Sequence, residues 1–170
     1  MAGYKVLLID ADLRRPAVAR SLGMERGGAR NGAELPLSEI VREDPATGMH
    51  YLTSQNVDDR VFGRASLNRI QSYLEDAKKS YDLVFIDSAP VLAAPEVLSM
   101  CQMADGVVFA VRWGHTPAKQ VFHAVRMLES VKAKVAGTVV TRADVRKHPW
   151  YGFGDVGDVY RAYGGYYGRS

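Results

Sequence analysis

Apolar and polar positions along the chain fall into two kinds of repeat. Short continuous apolar runs stand at Lys5-Val6-Leu7-Leu8-Ile9-Asp10, Asp82-Leu83-Val84-Phe85-Ile86-Asp87, Gly106-Val107-Val108-Phe109-Ala110-Val111-Arg112 and Lys134-Val135-Ala136-Gly137-Thr138-Val139-Val140-Thr141. A weaker run is Met49-His50-Tyr51-Leu52-Thr53. Runs of this length and composition predict strands buried on both faces of a parallel sheet. Between them the spacing turns helical. Leu67, Ile70, Leu74 and Ala77 recur at the three-and-four spacing of one helix face between Ser66 and Lys79, with Ser66 as N-cap. Val121, Val125, Leu128 and Val131 do the same between Pro117 and Lys132, with Thr116 as cap and Pro117 in the first turn. Shorter helices are predicted to begin near Pro16, Pro36 and Pro95.

Strands alternating with helices imply right-handed βαβ units, so the fold class predicted is α/β, a doubly wound and mostly parallel sheet. Gly27-Gly28-Ala29 and Gly32-Ala33 mark residues 25–34 as a loop. From Pro149 the periodicity stops, and residues 151–170 hold five of the nine tyrosines and six of the sixteen glycines, a flexible tail rather than a core element. The division read from the sequence is therefore 1–148 as a partial domain and 149–170 as tail.

Composition narrows the function classes. With 170 residues, 47% apolar and 24% charged, the chain has the makeup of a folded globular domain. Gly106 to Val111, the longest apolar run, falls far short of the ~20 residues of a membrane-spanning helix, and no signal peptide is legible at the start. The net charge of +3 is spread along the chain, so nucleic acid is not an expected partner. Cys101 stands alone and the four histidines lack metal-ligand spacing, which sets aside disulfide, thiol and zinc chemistry.

Chemistry concentrates at the strand ends. In an open parallel sheet, ligands bind beyond the carboxyl ends of the strands, where Asp10, Asp12 and Asp87 fall. Carboxylates gathered there suit a hard cation such as Mg²⁺, which takes one or two of them plus water and substrate phosphates. An aspartate after a strand also caps helices and forms turns, and that reading stands beside the first.

These residues resemble a family. Leu7-Leu8-Ile9-Asp10-Ala11-Asp12-Leu13-Arg14-Arg15-Pro16 looks like the Walker A′ motif of bacterial tyrosine kinases, and Tyr81-Asp82-Leu83-Val84-Phe85-Ile86-Asp87-Ser88-Ala89-Pro90 looks like their Walker B segment. The stretch from Ala104-Asp105-Gly106 to Val111-Arg112-Trp113-Gly114-His115-Thr116 and the tyrosine-rich end extend the likeness over nearly the whole chain. The resemblance implies a P-loop NTPase fold of the deviant-Walker (MinD/ParA-like) group. It implies a protein-tyrosine kinase that transfers phosphate from ATP to tail tyrosines and regulates exopolysaccharide or capsule synthesis and export.

Carried over by position, the resemblance gives Asp10, Asp12 and Arg14 catalytic work around Mg²⁺ and the incoming tyrosine hydroxyl. It gives Asp12 and Asp87 the metal, and Arg142 and Asp144 the adenine, with Thr141 standing where relatives carry asparagine. Tyr151, Tyr160, Tyr163, Tyr166 and Tyr167 become the phosphorylated residues. Arg14 also reads as a surface arginine paired with a carboxylate. The cofactors implied are ATP and Mg²⁺. The partners are a membrane polysaccharide co-polymerase or its activator domain, further copies of the chain and a protein tyrosine phosphatase, at the cytoplasmic side of the inner membrane.

The Walker A signature G-x-x-x-x-G-K-[ST], whose amides cradle phosphate, does not occur in the sequence. In relatives it precedes the strand that begins here and lies beside the Walker B strand. The expectation is an N-terminally truncated kinase domain, inactive by itself, with one apolar strand edge unpaired unless the flanking strands close the gap. Two other readings are a non-catalytic module that docks a membrane co-polymerase, and a positioning or partitioning ATPase. The Arg14-Arg15 pair and the tyrosine cluster disfavour the second.

Overall fold

The computed structural model describes residues 3–12, 15, 17–21, 35–53 and 67–144. Arg14, Ser66 and the five tail tyrosines lie outside them, as do the cap and phosphorylation roles expected there. The chain divides into two compact units, Met1–Met103 and Ala104–Ser170.

In the first unit, β1 (Val6–Asp10) is flanked on one side by β3 (His50–Thr53) and on the other by β4 (Leu83–Asp87), both parallel to it. A two-residue strand, β2 (Arg42–Glu43), adds antiparallel to β3 and completes the order β2-β3-β1-β4. β2 and β3 are joined by a tight turn over residues 44–49, where Gly48 has φ +70°, a conformation an L side chain resists.

Helices α1 (Val18–Ser21), α2 (Leu37–Ile40), α3 (Leu67–Ser80) and α4 (Glu96–Met103) lie at or within a few residues of the predicted starts. One face of the sheet, Leu7, Ile9 and Leu52, is sealed beneath Ile70, Leu74 and Ala77 of α3, Leu37 and Ile40 of α2, and Met100 of α4. Full burial of such a side chain contributes about 1.5–3 kcal/mol, so this layer fixes β1 at the centre of the unit. Tyr73 ties α3 to the chain entering α2 by donating its hydroxyl to the Leu35 carbonyl at 3.1 Å. Burial pushes the Cys101 thiol of α4 up in pKa.

The second unit is one βαβ crossover: β5 (Val107–Arg112), α5 (Ala118–Ser130) and β6 (Val135–Thr141), the strands parallel. α5 buries Ala124 and Leu128. Its N-cap is Pro117 in extended conformation rather than the expected Thr116, and no side chain bonds at the cap. The Pro117 carbonyl instead receives the amides of Gln120 and Val121, so the helix begins one residue later than read.

The α/β class and the parallel pairing match the prediction, but burial on both faces holds for β3, only in part for β1, where Val6 and Leu8 are half-buried, and not for β4, β5 and β6. Among the described residues β4 pairs only with β1, and β5 only with β6, in a separate two-stranded sheet. Side chains next to an unshared edge have fewer neighbours, and Phe85, Val108, Val139 and Val140 are accordingly half or more exposed. No helix among the described residues is long and apolar enough to cross a membrane.

Candidate functional site

The carboxyl ends of β3, β1 and β4 form one row in which Thr53, Asp10 and Asp87 occupy matched register positions, Asp10 between the other two. The apolar alternation that buries Leu7 and Ile9 on one face sends Asp10 to the other. The β1–β4 ladder continues one step beyond the strands, where the Ala11 amide donates to the Asp87 carbonyl at 2.7 Å. The loop carrying Asp12 is thereby held against the end of β4.

Asp10 is fully buried, and its carboxylate is largely occupied by its own loop. Oδ1 accepts the Asp12 amide at 3.2 Å, while Oδ2 accepts the amides of Ala17 and Val18, both at 3.0 Å. A carboxylate offers about four acceptor sites, so one remains, on Oδ1. The capping and turn-forming reading of a strand-end aspartate is realised here, because Asp10 both turns the loop and caps the start of α1. With three amides accepted and one acceptor site left, the Asp10 carboxylate holds this loop together.

Asp12 is half-buried, and its Oδ1 accepts the Arg15 amide at 3.0 Å. Asp87 is more open to solvent, yet its carboxyl is pushed above the ordinary value, first by desolvation and then by the charges of Asp10 and Asp12. The charges of Asp10 and Asp12 both contribute to that shift, and Asp10 and Asp87 stand opposite each other in register. Among the described residues no three His, Cys, Asp or Glu side chains lie close enough to cage a metal. An all-oxygen donor set of this kind fits Mg²⁺, which keeps most of its water and substrate ligands, better than a closed structural site.

Thr53 was given no role by the sequence; its only mark there is the end of the run Tyr51-Leu52-Thr53. It is fully buried, and its Oγ1 has no hydrogen-bond partner among the described residues. A buried hydroxyl without a partner costs about 1–3 kcal/mol, so Thr53→Val is expected to leave stability unchanged or raise it by about 1 kcal/mol. Urea denaturation checks this, and a clear loss of stability would mean that the hydroxyl is bonded in solution.

Arg142 and Asp144 follow β6 on the second unit. Arg142 has φ +54°, a left-handed backbone that a non-glycine residue seldom adopts without a local reason.

No family model matches the chain. Tyrosine-protein kinase YwqD of Bacillus subtilis is 29% identical over 154 residues, covering 89% of this chain and 65% of that protein. Succinoglycan biosynthesis transport protein ExoP of Rhizobium meliloti is 28% identical over 98% of this chain and 22% of that protein. The chain therefore spans less than two thirds of the length of either relative. Among solved structures, the VpsO kinase domain superposes with a TM-score of 0.70 at 26% identity, covering 84% of this chain and 72% of that one. The MinD cell division protein of Aquifex aeolicus gives 0.67 at 18% identity over 94% of this chain and 65% of that one, a likeness of fold alone.

Proposed function

We propose that this chain, a homologue of the bacterial tyrosine-protein kinases with their deviant-Walker P-loop NTPase fold, supplies the carboxylate half of an ATP-dependent tyrosine kinase site. The observation that carries the reading is the register pairing of Asp10 with Asp87 at the carboxyl ends of β1 and β4, with the Asp12 amide bonded to Asp10. Asp87 and Asp12 would hold Mg²⁺, whose charge neutralises that of the transferring phosphoryl group. Asp12 is the more accessible of the two loop carboxylates, and it takes up the proton of the attacking tyrosine hydroxyl, whose pKa is near ~10. Asp10 keeps the loop in place by accepting the backbone amides of Asp12, Ala17 and Val18.

The remaining assignments rest on the resemblance of the sequence motifs. Arg14 adds positive charge at the phosphates, and Arg142 and Asp144 serve the adenine. Tyr151, Tyr160, Tyr163, Tyr166 and Tyr167 receive phosphate, each gaining up to about −2 charge at neutral pH. The process served is exopolysaccharide or capsule synthesis and export at the inner membrane. The partners are a membrane co-polymerase or activator domain, further copies of the chain and a tyrosine phosphatase.

The test incubates the chain with γ-labelled ATP, Mg²⁺ and a Walker A-bearing kinase segment from a relative, and maps the label. The expected result is label on the tail tyrosines, lost in Asp12→Asn. Label that appears only on the added segment, or persists in Asp12→Asn, would overturn the assignment.

A further inference from the structure

At the opposite end of the strands from Asp10 and Asp87, about 17 Å away along β1, lies a cleft of about 500 Å³. It is built where Lys5 enters β1, His50 begins β3 and Tyr81 precedes β4, and it is walled by β2 and the last turn of α3. Its volume lies within the range of small-molecule sites. Of the motifs that carry the resemblance, only Tyr81, the first residue of the Walker B-like segment, lines it.

The lining sorts into groups already engaged and groups on offer. His50 Nδ1 lies 2.8 Å from the Tyr81 hydroxyl with the rings edge to face, and this pair forms a fixed floor. The Lys5 ammonium sits 5.0 Å from the Tyr81 ring centroid, over the ring face, and pairs with no carboxylate among the described residues. Lys79 is engaged by Asp76 at 3.0 Å. Among the described residues Arg42 makes only long contacts through Nη1, to the Glu39 carbonyl at 3.4 Å and the Val41 carbonyl at 3.5 Å, so most of its planar fork is available there. Glu43 stands 3.9 Å from His50 Nε2 and, with Asp76, presents acceptor-only oxygens.

We propose that this cleft binds a phosphorylated polyhydroxyl compound, in its simplest form a sugar phosphate, with the phosphate on Lys5 and Arg42 and the hydroxyls donating to Glu43 and Asp76. Among the described residues, two cations without carboxylate partners call for an anion, and a phosphate matches the guanidinium fork. Acceptor oxygens on the same walls call for donors, which a bare phosphate has in short supply and a sugar has in abundance. An apolar ligand would strip water from all of these groups without replacing it.

The full chain is titrated by calorimetry with glucose 1-phosphate, inorganic phosphate and glucose. Glucose 1-phosphate is expected to saturate at least about tenfold more tightly than either fragment, and Arg42→Gln and Lys5→Gln each to weaken it by about tenfold. Glu43→Gln is expected to weaken glucose 1-phosphate while leaving inorganic phosphate unchanged. Asp87→Asn is expected to leave all three titrations unchanged, because the strand-end carboxylates lie elsewhere. Absence of saturation, equal affinity for phosphate and sugar phosphate, or loss of binding in Asp87→Asn but not in Arg42→Gln would each overturn the proposal.

Discussion

Replacing Asp87 by asparagine is expected to lower label transfer roughly 100-fold or more and, at the same time, to raise the thermal midpoint at neutral pH. Both effects have one cause. Asp87 ends β4 in register with Asp10, and its carboxyl is pushed up by desolvation and by the charges of Asp10 and Asp12. A cation that answers those charges is what the site would use in catalysis; without one, ionised Asp87 is a burden on the fold. The folded state holds the Asp87 proton more tightly than an unfolded chain with the ordinary value of 3.8 does. The stability this carboxyl contributes is therefore fully present below that value and is lost as pH rises through the raised one. The gain from asparagine should appear at neutral pH and fade in acid, and Mg²⁺ should raise the midpoint of the parent chain more than that of the variant. Thermal melts across pH, with and without Mg²⁺, check this alongside the transfer assay. Unchanged transfer would remove Asp87 from the metal, and an unchanged midpoint would mean the three carboxylates do not repel.

What the sequence made legible was local. Runs such as Leu7-Leu8-Ile9 and Val84-Phe85-Ile86, each closed by aspartate, announce strands, and Asp10 and Asp87 end them in register although Phe85 in the second stays exposed. The α3 stripe of Ile70, Leu74 and Ala77 is likewise written in its spacing. β2 escaped because two residues, Arg42 and Glu43, have no periodicity; pairing with β3 alone makes them a strand. The exposure of Phe85 and Val108 is set by which strand edges are shared, a property no single run contains. The orphaned hydroxyl of Thr53 and the cleft floor of His50 and Tyr81, 31 residues apart, depend on contacts that exist only after folding. The double nature of Asp10 lies between these cases: the residue was visible, but which of its two readings prevails depends on where the Ala17 and Val18 amides come to rest.

Asp10→Ala is expected to be the most destabilising single change at the strand ends, at about 2–4 kcal/mol. The carboxylate is fully buried and receives three backbone amides, from Asp12, Ala17 and Val18. Alanine leaves all three donors without their acceptor, and the Val18 bond lies where water cannot readily replace it. Asn separates charge from geometry. Its one oxygen can serve Ala17 and Val18, but its amide group then turns toward the Asp12 amide, donor against donor, so Asp10→Asn should lose about half as much. Urea denaturation of the two variants gives the ranking. Because the same bonds position the loop that carries Asp12, transfer should fall in both variants and more steeply in alanine. Nucleotide should partly restore the midpoint of the asparagine variant if the loop can still close. A loss below about 1 kcal/mol for alanine would show that the loop needs no internal acceptor, and Asp10 would then return to direct work on metal or substrate.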